Sequence, residues 1–186
     1  VLVHGLWMRG LAMLPLQWLL RRHGFSVRRF SYPSRRYGMQ QNAAALARFA
    51  DALPGARVHM LGHSLGGVLA LVALSMRTDG RAGRTVLMGA PCNGSHCAAF
   101  LLRWPLLRAV VGQSLSDWLA IAPPARLPIT AQIGVLAGTR SCGLGRLVPG
   151  LPQPNDGVVT LMETNLPAAR DSIRLAVSHS QMLFSA

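Results

Sequence analysis

Val58-His59-Met60-Leu61-Gly62-His63-Ser64-Leu65-Gly66-Gly67 is a short apolar run that breaks into a glycine-flanked serine. Val68 to Leu74 follows without a charged residue, and none appears until Arg77. A strand turning sharply into a helix fits this pattern. Small residues two before and two after the serine leave the backbone room, and the apolar run behind it suits a helix buried beside a sheet. Ser64 would stand at the apex with its hydroxyl clear of the turn. The N–H of Leu65, first in the new helix, would point toward any oxyanion formed beside it.

Working outward, the chain alternates strand-like and helix-like stretches. Val1-Leu2-Val3-His4-Gly5-Leu6-Trp7 reads as a strand ending in His-Gly, where glycine lets the next N–H groups turn toward a pocket. Leu6 is the expected second oxyanion donor, with Trp7 as the neighbour that could replace it. His4 reads as a buried histidine bonded to loop carbonyls. Residues 11 to 23 form the first predicted helix, Phe25 to Tyr32 the second strand and Asn42 to Leu53 the second helix. The serine strand and helix come next, then strands at 85–88, 133–137 and 173–177. This alternation with short polar turns predicts right-handed crossovers and a mostly parallel sheet with helices on both faces. Ligands in such sheets sit at the carboxyl ends of the strands. His4-Gly5, Ser64 and Gly89-Ala90-Pro91 all fall there.

Residues 92–125 break the rhythm with an apolar, glycine- and serine-punctuated segment running from Phe100 to Ile121, interrupted at Pro105 and closed by Pro123-Pro124. It predicts short helices forming a small cap over the strand ends, with core packing as the equal alternative.

At 186 residues with 51% hydrophobic composition, the chain is long enough for one sizeable core. Mean hydropathy is +0.32, yet arginines or turn residues interrupt each apolar run before membrane-spanning length, so no transmembrane helix is expected. Val1 already lies inside an apolar run, so the native start is expected to be missing. The compartment stays open, with the cytoplasm slightly favoured. Formal net charge is +13, all of it from arginine, with Arg21, Arg22, Arg28, Arg29, Arg35 and Arg36 close together. No lysine, recognition-helix motif or aromatic interleaving accompanies them, so nucleic acid is not an expected partner. Peripheral contact with anionic lipid surfaces remains as a partner class. Cys92, Cys97 and Cys142 lack C-x-x-C or zinc spacing and read as reduced thiols, although one Cys92–Cys97 or Cys97–Cys142 bridge stays open.

A serine hydroxyl needs a base within hydrogen-bond reach, itself oriented by a carboxylate. Six carboxylates are on offer: Asp51, Asp79, Asp117, Asp156, Glu163 and Asp171. Asp51 and Asp79 fall on the wrong end or face, Asp117 in the cap segment, and Asp171 at the strand end opposite Ser64. Asp156, in a loop after the penultimate strand, can approach the strand C-termini, with Glu163 the runner-up. Among six histidines, His179 alone follows a strand late in the chain. His63 adjoins Ser64 but points elsewhere from a tight turn. His59 and His63 straddle a strand and a turn with no intervening glutamate, so zinc is not expected.

The segments Val1 to Leu6, Gly62 to Gly67, Gly89-Ala90-Pro91-Cys92-Asn93-Gly94-Ser95, Asn155-Asp156-Gly157-Val158-Val159 and Val177-Ser178-His179 resemble those of α/β-hydrolases, in particular small bacterial lipases and esterases. The order Ser64, Asp156, His179 is that of the family's triad. The resemblance implies one α/β-hydrolase domain over residues 1–186. It departs from the family at both ends, with no strand before Val1 and the helix after the histidine cut short at Phe184-Ser185-Ala186. It also implies a serine carboxyl-ester hydrolase acting on small-molecule or lipid esters, with no metal or organic cofactor. Trp7, Trp104 and Trp118 are expected to contact the acyl group. An acyltransferase, a thioesterase, or a catalytically silent domain of this fold are the alternatives.

Overall fold

The computed structural model describes residues 1–77, 80–120 and 131–184. Asp79, Ile121, Pro123-Pro124 and the terminal Ser185-Ala186, all used in the sequence reading, lie outside the described residues. Six strands are described: β1 (Leu2–Val3), β2 (Arg29–Phe30), β3 (Val58–His63), β4 (Ala82–Met88), β5 (Gln132–Gly138) and β6 (Asp171–Leu175). They form one sheet in the order β2-β1-β3-β4-β5-β6, and every pairing is parallel. The chain moves outward from β1 to β2, then returns to the other side of β1 with β3. The reversal puts a crevice at the carboxyl ends of β1 and β3, where His4-Gly5 and Ser64 emerge.

Helices cover both faces. On one lie α2 (Met39–Asp51), α3 (Leu65–Met76) and the consecutive α4 (His96–Leu102), α5 (Pro105–Val111) and α6 (Gln113–Ala120). These contribute Leu46, Leu69, Leu71, Ala98, Val111, Leu115 and Trp118 to one core cluster. On the other face, the turn at Gly10–Met13 and α1 (Leu14–Arg22) bring Met13 and Leu16 against Leu2, Met88, Met182 and Leu183. The two-residue period of the strands divides the clusters: Val3 and Leu87 face one side, Leu2 and Met88 the other. Helix α3 is buried from Leu65 through Leu74, which explains why its sequence carries no polar face.

Strand β4 begins three residues earlier than expected, at Ala82, and two further differences fall at the edges of the sheet. The stretch 25–32 contributes only Arg29–Phe30, because β2 is an edge strand and β1, its single neighbour, offers just Leu2 and Val3 as partners. The last strand begins two residues earlier than expected, at Asp171. It lies at the opposite edge with all five residues exposed, so no burial pattern marks its limits.

No helix among the described residues is long and apolar enough to cross a membrane. None of the three cysteines is bridged.

Candidate active site

At the end of β3 the chain reverses into α3 through Ser64, whose φ of 55° and ψ of −127° lie in a region a residue with a side chain rarely occupies. Several contacts hold it there. The Ser64 N–H donates to the Met88 carbonyl at 2.8 Å, extending the ladder with β4, and the Ser64 carbonyl accepts from Gly67 N–H at 2.9 Å, opening the helix. The flanking glycines are required by close approach: a side-chain carbon at Gly62 would run into the Gly66 carbonyl, and one at Gly66 into the carbonyls of Val3 and His4. The backbone conformation at Ser64 is therefore imposed by its neighbours in the sheet.

Beside this turn stands a buried carboxylate–imidazole pair. His179 Nδ1 donates to Asp156 Oδ2 at 2.7 Å, and both residues are buried. Because the carboxylate accepts, the ring proton is on Nδ1, which leaves Nε2 as the free basic nitrogen of the neutral ring. Asp156 is held on both sides. Its Oδ1 accepts from the N–H groups of Val158 at 3.0 Å and Val159 at 2.7 Å, while its own carbonyl accepts from His179 N–H at 2.8 Å. Glycine at 89, with φ of +54°, makes room at the end of β4: a Cβ there would sit 3.1 Å from Asp156 Oδ2 and 3.2 Å from His179 Nδ1.

His63 links the two parts. Its Nε2 donates to the His179 carbonyl at 2.9 Å, and the two imidazoles lie with centroids 4.7 Å apart. The ring is fully buried, and Nδ1 has no hydrogen-bond partner among the described residues. Burial, reinforced by the nearby His179, pushes the His63 pKa down to about 3, so the ring is neutral at physiological pH. The sequence reading left His63 without a role. Its position next to Ser64 was the available signal, but its partner comes from 116 residues further along the chain.

On the β1 side, the chain turns at Gly5, whose Cβ position would lie 3.1 Å from Ser64 Cβ. A turn closed by Met8 N–H on the Gly5 carbonyl brings Leu6 and Trp7 to its centre, Trp7 with φ of 60°. His4 fixes this bend by donating from Nδ1 to the Gly5 carbonyl at 2.9 Å and accepting at Nε2 from Tyr32 N–H at 3.1 Å. It also stacks on the Tyr32 ring at 4.5 Å. Desolvation lowers its pKa. Leu65 begins α3 with its side chain buried.

The other carboxylates among the described residues lie away from the pair or serve other groups. Glu163 forms a capping box with Thr160 at α7 (Leu161–Thr164) and also accepts from His96 N–H, so both oxygens serve backbone groups. Asp51 pairs with Arg77 at 2.8 Å, and Asp117 accepts from Met39 N–H at 3.1 Å. Asp171 opens β6 at the end of the sheet away from Ser64. Burial pushes the thiols of Cys92 and Cys97 up to about 12 and about 11, which leaves them protonated at neutral pH. Among the described residues no three His, Cys, Asp or Glu side chains cluster as metal ligands would.

The three tryptophans part company. Trp7 is half exposed and donates its indole N–H to the Val110 carbonyl at 2.6 Å, and Trp104 is 59% exposed at the start of α5. Trp118 is 3% exposed within the main core and donates to the Pro91 carbonyl at 2.9 Å, so it supports the turn after β4. The apolar face of α6 makes it core, while α5 leaves Leu106 and Val110 in solvent.

The chain belongs to the alpha/beta hydrolase family, whose sequence model matches residues 1–180. Its fold is similar to that of the lipase BlEst2 from Bacillus licheniformis in its mature form, with a TM-score of 0.78 at 20% identity, covering 98% of this chain and 84% of that one. It is also similar to the metagenomic carboxyl esterase MGS0156, with a TM-score of 0.75 at 19% identity over 96% of this chain and 63% of the other. A methylesterase from Arabidopsis matches with a TM-score of 0.61 at 15% identity, over 97% of this chain and 90% of its own. No curated protein sequence matches this chain.

Proposed function

We propose that the protein is a serine carboxyl-ester hydrolase in which Ser64 is the nucleophile, His179 the general base and acid, and Asp156 the residue that orients His179. The observation that carries this is the buried Asp156–His179 pair at 2.7 Å, with its Nε2 free, beside a serine held at a strained strand-to-helix turn. Support also comes from the proteins of similar fold, which include a lipase, a carboxyl esterase and a methylesterase.

The steps follow from the chemistry. Ser64 Oγ attacks the ester carbonyl and passes its proton to His179 Nε2, and the resulting imidazolium is stabilised by the Asp156 carboxylate. The oxyanion takes hydrogen bonds from the backbone N–H of Leu65 and of Leu6, the latter in the turn that His4 holds. His179 returns the proton to the leaving alcohol, which departs and leaves the acyl group on Ser64. Water then repeats the sequence with His179 as base, releasing the acid. No step needs a metal or organic cofactor. The acyl group rests against Trp7 and Trp104 at the mouth formed by α4 to α6, and the exposed Leu106 and Val110 give this face its affinity for lipid surfaces. The test is covalent labelling by a fluorophosphonate probe, followed by peptide mapping. Modification at Ser64, lost in Ser64→Ala, is the expected result; an unlabelled wild type contradicts the assignment.

A further inference from the structure

Next to the Gly5 turn a cavity of about 510 Å³ opens between the loops that follow β1 and β2. Its volume falls in the range of small-molecule sites. Trp7 and Met8 give it apolar wall, Ser31 a hydroxyl, and Arg9, Arg35 and Arg36 a cationic rim. None of the lining residues is acidic. Among the described residues no carboxylate pairs with these arginines, and Arg35 spends one donor on the Ala109 carbonyl at 3.1 Å. Three guanidinium groups around one cavity repel one another unless an anion lies between them.

The cavity is tied to the candidate active site. Trp7 is two residues from Gly5, so its backbone is at most about 7 Å along the chain from the glycine that touches Ser64. The walls are joined as well: Gly10 N–H donates to Ser31 Oγ at 3.2 Å, and Tyr32 N–H to His4 Nε2 at 3.1 Å, with His4 in turn holding Gly5. Trp7 thus belongs both to the cavity wall and to the turn that packs against Ser64, which places the cavity on the β1 side of the candidate site.

We infer that the cavity binds an anionic group, a carboxylate or a phosphate monoester, at the end of the substrate remote from the scissile ester. The inference rests on the ester-hydrolase reading and specifies its substrate class. Apolar atoms pack on Trp7 and Met8, and the anion is received by Arg9, Arg35 and Arg36 through charge-assisted hydrogen bonds.

Two matched substrate pairs test this on the purified full chain at low salt. In one the anion is on the acyl side, mono-(4-nitrophenyl) glutarate against 4-nitrophenyl pentanoate. In the other it is on the alcohol side, 4-carboxyphenyl butanoate against 4-acetylphenyl butanoate. In one of the pairs kcat/KM should favour the anionic member by more than tenfold, and added NaCl should shrink that ratio. In the double variant Arg9→Glu, Arg36→Glu the ratio should fall below one. Equal turnover within both pairs, or a ratio the double variant does not change, overturns the inference while leaving the hydrolase reading intact. That reading fails separately, if Ser64 is unlabelled and neither neutral ester is cleaved. Vesicles distinguish the source of the anion. If the soluble pairs show no preference and phosphatidylglycerol vesicles, unlike phosphatidylcholine ones, stimulate cleavage of the neutral ester, the arginines serve a lipid headgroup and the substrate assignment is overturned.

Discussion

The acid–histidine side of the site and the α4 to α6 side are held by opposite means. Asp156 and His179 are fixed by backbone: both Asp156 oxygens and both residues' main chains are hydrogen-bonded, and His63 holds the His179 carbonyl from behind. Across the crevice, α5 is held mainly by Val111 in the core and by polar contacts to its carbonyls from Trp7 and Arg35, while Trp104 and Leu106 face solvent at 59% and 90% exposure. Chemistry requires geometry within fractions of an ångström, and a network of buried hydrogen bonds supplies it. Accommodating substrates requires surface that can adjust, and a segment packed on one side supplies that.

Substitutions on the rigid side should cost the most. Ser64→Ala should reduce 4-nitrophenyl ester hydrolysis on the order of 10³- to 10⁶-fold without changing the circular dichroism spectrum. Turnover close to wild type in that variant would remove Ser64 from the mechanism. Asp156→Asn should lower kcat on the order of 10³- to 10⁴-fold, because the amide can present a donor to Nδ1 and favour the wrong tautomer. Glu163→Gln is the control: its loss should appear as a lower melting temperature with activity per folded molecule retained, since Glu163 caps α7. A Glu163→Gln enzyme as crippled as Asp156→Asn would move the acid to the next loop.

On the other side, two tryptophans of the same helical segment should behave differently. Trp118→Ala should destabilise the fold by about 3–5 kcal/mol, as truncation of a buried aromatic does. Trp104→Ala should change stability by less than about 1 kcal/mol. It should instead flatten the rise of kcat/KM with acyl length, which each methylene would otherwise steepen by roughly 0.8 kcal/mol. Urea titrations and a series from acetate to octanoate esters separate the two outcomes. Equal stability losses would mean that Trp104 is core as well.

pH sharpens the same contrast. His63 takes a proton at about 3 in the folded protein against 6.5 when free, so below 6.5 the unfolded chain binds a proton that the native state refuses. This contribution is complete above pH 6.5 and is lost as pH falls toward 3, at about 1.4 kcal/mol per pH unit. His4, also lowered by burial, acts in the same direction. His63→Gln retains a donor for the His179 carbonyl but does not titrate. Its stability should therefore decline less steeply than wild type between pH 6.5 and 5; parallel declines in thermal melts would assign the acid sensitivity elsewhere.

The sequence by itself determined the local events. The glycines around Ser64 leave a strand-to-helix turn as the conformation their spacing allows, and the uncharged run through Leu74 requires a helix buried beside a sheet. Alternating strand and helix patterns then fix a parallel sheet with its crevice at the carboxyl ends. These features are legible because steric and burial constraints act between neighbours in the chain. The sequence offered Asp156 and His179 as partners, whereas their contact geometry and the part His63 plays in it came from the tertiary structure alone. The Asp156–His179 contact spans 23 residues and the His63–His179 contact 116, and nothing in the local sequence encodes either distance. It decided, too, that Trp118 is core and Trp104 is surface, since both belong to apolar stretches and differ only in what lies opposite. The edge strand β2 followed the same rule, ending where β1 stops offering partners. Local sterics are written in adjacent residues, whereas burial of a side chain and the pairing of charges depend on surfaces that exist only once the sheet has assembled.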